Sequence, residues 1–232
     1  MKRIQARFLM AAIVLLTVTA AWAYRPGPDI IRECPRCKTP LAQQSMMSGN
    51  TFGARFWTDG KMLAPMLPDH PWLVKCPNCG ELFWIDEARE LGKRAWWYEH
   101  NNWQLAPGPE PPSEADFLKV LSSAGLTDAK ERYARQRAWW AANDPIRTTE
   151  NPAAAFSPAQ EKNLNALADI LDEKDPGQRI TKAEIYRELG KFEACVKLLA
   201  QPFSEDHHHR VAAFIRKLAE QGIRSVREIN VE

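Results

Sequence analysis

The chain has 232 residues with 31 Lys plus Arg against 29 Asp plus Glu, a formal charge of +2, and 45% of its residues are hydrophobic. This length suits one large or two small domains. The near balance of charge excludes a polybasic protein that holds nucleic acid through its phosphates, so we expect no nucleic-acid partner.

The first 23 residues have the pattern of a secretory signal. Three basic residues precede an apolar run over 8–23, which ends in Ala21-Trp22-Ala23. This pattern predicts export to a periplasmic or extracellular location, with cleavage after Ala23. The alternative is an uncleaved anchor, and the protein would then contact the membrane through this segment alone. Without the leader, 28 basic residues remain against 29 acidic ones.

Four of the five cysteines form two Cys-Pro-x-Cys turns, Cys34 with Cys37 and Cys76 with Cys79. Two residues between the cysteines of a turn allow both thiolates to reach one metal ion. Two such turns supply the four sulfurs of a structural zinc site. The sequence therefore predicts one Zn ion bound by these four cysteines. Cys195 lies far from them and is expected to be a small buried residue.

At these residues the chain resembles the zinc-ribbon family, in which two knuckles at the tips of β-hairpins clamp one zinc. The resemblance covers residues 30–90 and implies a small β-rich domain. Two features depart from the family pattern: Lys38 stands where glycine is often found, and the insert between the knuckles is long. Arg36, Lys38 and Lys75 are expected either to offset the charge of four thiolates or to be ordinary surface cations.

Two other interpretations of the cysteines remain open. Leu67-Pro68-Asp69 ahead of the second knuckle is similar to part of a rubredoxin, which implies Fe in the same four sulfurs and electron transfer. An oxidising compartment also favours disulfides, and a Cys-x-x-Cys pair can exchange thiols as a redox-active dithiol. The strand and helix that flank a thioredoxin-like motif are not predicted around either pair.

The insert between the knuckles is predicted to be β structure with loops. Residues 51–58 are rich in strand-forming types, and Asp59-Gly60 is a hairpin turn signal. Short strands are expected at 72–75 and 82–85, on either side of the second knuckle. Six aromatic residues are expected to form the core of this domain: Phe52, Phe56, Trp57, Trp72, Phe83 and Trp84.

Beyond Ile85 the sequence predicts helices, and the fold class is α+β. Residues 86–91 begin like a capped helix, which would trail a zinc-ribbon domain over 24–105. Four prolines within 106–112 predict a stiff linker and a domain boundary. The remainder, 113–232, is predicted to be an all-α domain.

Capping signals mark the first helices of that domain. Ser113 and Asp116 resemble a capping box, and this helix is expected to end near Gly125. Thr127 can cap the next helix, which Asn143-Asp144-Pro145 is expected to stop. Apolar residues then recur at helical spacing at Leu164, Leu167, Ala168 and Leu171.

Residues 179–202 resemble one tetratricopeptide-type helix pair. The matching positions are Ala183, Tyr186, Gly190, Phe192 and Cys195. The resemblance implies two antiparallel helices with a tight turn at Gly190. A last helix places Val211, Phe214, Ile215 and Leu218 on one face and ends at Gly222. His207-His208-His209, at its start, is expected to be an exposed turn in which at most two histidines could bind one ion.

No catalytic motif was found in the sequence, and a zinc ion held by four cysteines has no open position for substrate or water. We therefore expect an exported, non-enzymatic protein that binds a protein partner or acts as a scaffold. The alternative is an extracytoplasmic redox protein that works by dithiol exchange or by rubredoxin-like electron transfer. The sequence does not identify the partner.

Overall fold

The structure, a computed structural model, describes residues 24–94, 103–148 and 156–229. Small antiparallel sheets occupy the N-terminal half of this part, and six helices follow in the C-terminal part, which confirms the α+β class. The predicted leader lies outside the described residues. Within the described ranges, no helix is long and apolar enough to cross a membrane.

Ten short strands in the described ranges form four sheets. The strands are β1 (Arg25–Pro26), β2 (Asp29–Glu33), β3 (Pro40–Gln43), β4 (Met46–Ser48), β5 (Arg55–Trp57), β6 (Met62–Leu63), β7 (Leu73–Lys75), β8 (Leu82–Trp84), β9 (Glu90–Arg94) and β10 (Glu228–Ile229). The strand orders are β1-β4, β10-β5-β6, β3-β2-β9 and β7-β8.

Two antiparallel hairpins, β2-β3 and β7-β8, carry the two cysteine turns at their tips. Ile31 pairs with Ala42 in the first hairpin, and Val74 pairs with Phe83 in the second. The predicted strands on either side of the second knuckle are therefore confirmed. Between the hairpins lies one small buried cluster, formed by Cys34, Leu41, Val74, Cys76, Phe83 and Ile85.

The helix predicted at 86–91 is wrong. Residues 85–87 form a turn, and the chain then continues as β9, which pairs with β2. Ile31 lies opposite Gly92, and the N–H of Glu33 donates to the carbonyl of Arg89 at 2.9 Å. The open edge of β2 supplies a partner for this segment, and that pairing overrides the weak local preference for a helix.

The predicted hairpin around Asp59-Gly60 is confirmed in a shorter form, because β5 and β6 pair across this turn.

The prediction of the aromatic core is wrong in part. Phe52 is 78% exposed and Phe56 is 40% exposed, whereas Trp57 and Phe83 are buried. Phe52 lies in the turn that precedes β5, where no other element covers it.

The described helices are α1 (Glu114–Val120), α2 (Asp128–Arg147), α3 (Pro158–Asp169), α4 (Pro176–Glu188), α5 (Phe192–Leu199) and α6 (Asp206–Glu220). The capping box of α1 is confirmed, because Ser113 and Asp116 hydrogen-bond to each other's backbone N–H groups. Thr127 caps α2 as predicted.

Two predicted helix ends are wrong. The first helix, α1, ends at Val120 instead of near Gly125. Pro145 lies inside α2, which continues to Arg147. A proline removes one backbone donor and normally disrupts a helix interior, but its effect is smallest near an end. The last turn of α2 is also held in place by the side-chain hydrogen bonds of Arg147.

Helices α4 and α5 form the predicted hairpin, with Gly190 at a φ of 77° in the turn between them. Ala183 and Cys195 are both fully buried, and burial raises the pKa of Cys195 to about 12. Helix α6 packs on the same core through Ala212, Ile215 and Ala219. The apolar face of α3 is buried as predicted, at Leu164, Leu167 and Ala168.

The β-rich and helical parts are in direct contact. Trp72 donates its backbone N–H to the hydroxyl of Tyr133 at 2.8 Å, and Leu73 packs with Phe117 and Ala138. The segment predicted to be a linker runs along the β-rich part, where Glu110 forms a bridge with Lys75. The division into two domains at this segment stays a prediction.

One strand of the helical part was not predicted. The C-terminal β10 pairs with β5, so that Ile229 lies opposite Phe56 and Glu228 opposite Trp57. A segment that follows the last helix thus joins a sheet whose other two strands lie between the cysteine knuckles. A two-residue strand has no periodic pattern of its own, which is why the sequence does not indicate it.

Candidate metal centre

The first cysteine turn connects β2 to β3 and closes through two backbone hydrogen bonds. The N–H of Cys34 donates to the carbonyl of Thr39 at 3.0 Å, and the N–H of Lys38 donates to the carbonyl of Cys34 at 3.1 Å. Lys38 has a φ of 63°, in the left-handed region that favours glycine. Lys38 therefore adopts a backbone conformation that glycine adopts more readily, at the position where the sequence departs from an expected glycine.

The second turn connects β7 to β8 and repeats the same arrangement. The N–H of Cys76 donates to the carbonyl of Glu81 at 2.8 Å, and the N–H of Gly80 donates to the carbonyl of Cys76 at 2.9 Å. Gly80 has a φ of 71°. The two knuckles share one backbone conformation, and they differ in that Lys38 occupies the position of Gly80.

The turns face each other and bring the four predicted site residues together. The sulfur atoms of Cys34 and Cys79 are 3.7 Å apart, and those of Cys37 and Cys76 are 3.6 Å apart. All four sulfurs lie within 4.8 Å of one another. Sulfurs about 2.3 Å from an ion at the corners of a tetrahedron are about 3.8 Å apart. The four cysteines are thus positioned to hold one metal ion.

The four thiols differ in exposure and in acidity. Cys34 and Cys76 are fully buried, and Cys37 and Cys79 are partly exposed. Hydrogen bonds from the side chain and the backbone of Thr39 lower the pKa of Cys37 to about 5. Burial raises the pKa of Cys76. A bound metal ion would require all four sulfurs as thiolates, so binding would release protons.

Cys79 is the less acidic of the two partly exposed thiols. The backbone N–H of Glu81 favours its thiolate, but burial and hydrogen bonds with the neighbouring cysteines outweigh this and raise its pKa to about 12. Asn78 donates to the sulfur of Cys37 at 3.6 Å and to the hydroxyl of Thr39 at 3.0 Å. The polar groups around the site therefore favour negative charge on Cys37 most strongly.

The three cations near the knuckles all have carboxylate partners. Arg36 lies 3.4 Å from Glu81, Lys38 lies 3.6 Å from Glu33, and Lys75 lies 3.3 Å from Asp116. Arg36 is 67% exposed and Lys38 is 65% exposed, so these two pairs contribute little to stability. These carboxylates already balance the positive charge of the three cations.

A second polar cluster, the ionic cluster, is formed by Asp59, Arg147, Glu184, Arg187 and Glu188. Each of these side chains is at most 3% exposed. Arg147 binds both carboxylate oxygens of Asp59, and it stacks over the ring of Trp57 at 4.9 Å. This pair connects the turn after β5 to the end of α2.

Arg187 forms the other half of the ionic cluster. Its guanidinium donates to the two oxygens of Glu184 at 2.5 and 2.7 Å. It also donates to the carbonyls of Ile223 and Ser225 and to the hydroxyl of Thr58. One buried side chain thus joins α4, the turn after β5 and the segment that leads to β10.

Glu188 lies between the two pairs. Its Oε2 accepts from the indole N–H of Trp139 at 2.7 Å and from the amide of Asn143 at 3.1 Å. Burial raises the pKa of Glu188 well above its usual range, and the charges of Glu184 and Asp59 add to this effect. A protonated Glu188 leaves two carboxylates against two guanidinium groups.

The ionic cluster was not predicted from the sequence. Its five members are spread from position 59 to position 188, and the three-residue spacing of Glu184 and Arg187 is common on solvated helix faces. The fold encloses the cluster, and its charged groups form ion pairs and hydrogen bonds with one another. The arrangement holds three segments of the chain together and offers no open position to a substrate.

The histidine run lies at the start of α6 as predicted, and His207 and His209 are exposed, as expected. His207 and His208 lie in the first turn of α6, and His208 is only partly exposed. Together with Glu205 they form a second group whose ligand atoms lie within 4.8 Å of one another. His209 is not part of this group, consistent with the expectation that two histidines at most could bind one ion.

Comparisons with known proteins add no relatives. No protein-family model, curated protein or solved structure matches the chain.

Proposed function

We propose that the protein is an exported, non-enzymatic protein-binding or scaffold module whose β-rich part is held together by a structural zinc ion. The observation that carries this proposal is the convergence of four sulfurs from two matched knuckles. Four thiolates fill the tetrahedral coordination of zinc and leave no site for substrate or activated water. The metal acts as a staple between the β2-β3 and β7-β8 hairpins.

A small core explains why a staple is useful. Beside the four cysteines, the buried cluster between the hairpins contains only a few apolar side chains, among them Leu41, Val74 and Phe83. Domains of this size commonly depend on a metal or on disulfides for stability. Zinc is the expected ion because four thiolates in a tetrahedral site suit it, although iron fits the same sulfur positions.

The insert between the knuckles is the proposed contact surface for the protein partner. Four exposed large apolar residues lie in this insert: Met47, Phe52, Phe56 and Leu63. Strand β6 is also an edge of its sheet among the described residues. An open edge next to apolar side chains favours a partner that adds an extended segment to the sheet.

Metal and thiol analysis tests the structural-metal proposal first. The chain from Tyr24 onward would be exported and purified without chelator or metal resin, and its zinc, iron and free thiols counted. We expect one zinc per chain and four thiols that react only after unfolding or chelation. Bound iron, or paired cysteines without metal, would contradict the proposal.

Crosslinking in the native compartment tests partner binding. We expect the chain to be crosslinked to a protein partner in a specific complex, and the double change Phe52→Ser and Phe56→Ser to remove that complex. Leu105→Ser is the matched control, because Leu105 is 96% exposed and lies outside the insert. Loss of the complex with the control variant, or its survival in the double variant, would contradict the proposed surface.

The redox alternative is favoured by one observation, the partly exposed Cys37 with its pKa lowered to about 5. A thiolate of this kind is reactive in thiol exchange. Against this alternative, the two sulfur contacts both join one knuckle to the other, whereas a Cys-x-x-Cys exchange pair works within one motif. Rapid, reversible oxidation of Cys37 with Cys34 in native protein would favour the redox function over the structural one.

A further inference from the structure

We propose that Glu205, His207 and His208 form a second metal site, which binds a divalent transition ion such as Zn²⁺ through two imidazoles and one carboxylate. The site lies at the start of α6, far in sequence from the cysteines. Its donor atoms all lie within 4.8 Å of one another. The inference does not depend on the proposed function of the cysteine site.

The carboxylate of Glu205 is available for this role. Glu205 is the N-cap residue of α6, yet its side chain makes no capping hydrogen bond to the helix. Its Oε2 instead lies 3.3 Å from Nδ1 of His207. Two ligands, each about 2.05 Å from a tetrahedral zinc ion, are about 3.3 Å apart. The pair is therefore already at the separation that one ion requires.

His208 supplies the third donor. Its ring lies 3.9 Å from the ring of His207, measured between centroids, and 6.3 Å from the ring of Phe203. The Nδ1 atom of His208 is buried and has no hydrogen-bond partner. Buried polar atoms are normally paired, so an unpaired nitrogen on an imidazole that belongs to this group favours a missing ligand.

The charge around the site suits a cation. The N-terminus of a helix carries partial positive charge, which opposes a bound cation. The carboxylates of Glu205 and Asp206 at the same terminus compensate for this charge. Imidazole and carboxylate together favour zinc and its neighbours in the first transition row over calcium or magnesium, which prefer oxygen ligands alone.

This site differs chemically from the cysteine site because three ligands leave a coordination position open. A fourth ligand can come from water or from a donor on another molecule. His207 is 59% exposed and Glu205 is 61% exposed, so solvent reaches the site. An ion here can exchange with the surroundings, whereas an ion enclosed by four thiolates is retained.

Titration of zinc-loaded, untagged full chain with Zn²⁺ tests the proposal. With the cysteine site already filled, we expect one further equivalent to bind by calorimetry. His207→Ala and His208→Ala should each weaken this binding by at least about tenfold, because even changes at the outer-shell partners of a metal ligand typically cost about 10–100-fold. His209→Ala is the matched control and should leave the affinity unchanged, because His209 is exposed outside the group.

Cobalt distinguishes the two sites. Co²⁺ bound to nitrogen and oxygen donors lacks the intense thiolate-to-metal absorption of a four-cysteine site, so the added equivalent should show only weak visible bands. Absence of any further equivalent would overturn the proposal. So would an equal loss of affinity in the His209→Ala variant, which would indicate nonspecific binding by the histidine run. Circular dichroism of each variant checks that α6 is intact.

Discussion

The cysteine site and the ionic cluster are both polar groups inside the protein, but they are built in opposite ways. Each cysteine knuckle is a turn of six residues that makes its own backbone hydrogen bonds, and the two knuckles are copies of each other. The ionic cluster draws its members from positions 59 to 188, and Arg187 also donates to Thr58, which lies 129 residues away along the chain. One is made by local chain geometry and the other by tertiary packing.

This difference decides what each cluster needs for stability. The positive charge near the cysteines lies on side chains that already pair with carboxylates, so four adjacent thiolates require a metal cation. The ionic cluster contains its own cations, and hydrogen bonds among its members replace those lost to water. The β-rich part should therefore respond to chelation, and the helical part to substitution at the ionic cluster.

Metal removal should have the largest effect. Binding of structural zinc to small domains is worth about 10–16 kcal/mol, so a strong chelator or the change Cys76→Ser should unfold the β2-β3 and β7-β8 hairpins. Near-ultraviolet circular dichroism and metal content measure this. Cys195→Ala is the control, and it should retain the metal because Cys195 is buried in the core shared by α4, α5 and α6, away from the knuckles. An unchanged spectrum after complete chelation would contradict a structural metal.

Disruption of the ionic cluster should have the second largest effect on stability. Arg187→Met leaves Glu184 buried without its cation, which we expect to cost about 3–5 kcal/mol in the free energy of unfolding. Urea denaturation measures the loss. Arg216→Met is the matched control, because Arg216 pairs with Glu220 in an exposed pair and should cost less than about 0.5 kcal/mol. Equal losses in both variants would contradict the role assigned to the ionic cluster.

Glu188→Gln should change how stability depends on pH. A carboxyl group with a raised folded-state pKa binds more protons in the folded state, so stability falls as pH rises above about 4.5 toward the raised value. Each pKa unit of elevation corresponds to about 1.4 kcal/mol. In the Glu188→Gln variant, the free energy of unfolding should therefore fall less as pH rises. Thermal melts from pH 4 to 8 that run parallel for both proteins would contradict it.

Substitution of Gly80 and of Lys38, which occupy the same position in the two knuckles, should have the smallest effects. These two changes compare the knuckles directly. Gly80→Ala places a side chain at a φ of 71° and should destabilise the metal-bound protein by about 1 kcal/mol. Lys38→Gly relieves the same strain in the first knuckle and should stabilise it by up to about 0.5 kcal/mol. Thermal unfolding of the zinc form measures both. We expect the two changes in the free energy of unfolding to have opposite signs. Changes of the same sign would show that the knuckles are not equivalent.

Much of the candidate site and of the helical part could be predicted from the sequence. The Cys-Pro-x-Cys spacing indicated that Cys34, Cys37, Cys76 and Cys79 belong together. The capping residues Ser113 and Thr127 marked true helix starts. Gly190 marked the turn between α4 and α5. These features depend on neighbours within a few residues along the chain, so their geometry is fixed by short-range sterics and hydrogen bonding.

Other features were decided only when distant segments met. Residues 90–94 became a strand because the edge of β2 was open to them, although the sequence over 86–91 begins like a capped helix. Phe52 is exposed because no other element in the described part of the chain packs over its turn. The ionic cluster joins Asp59 to helices far along the chain. Burial and long-range pairing depend on where the whole chain passes, and no short stretch of sequence carries that information.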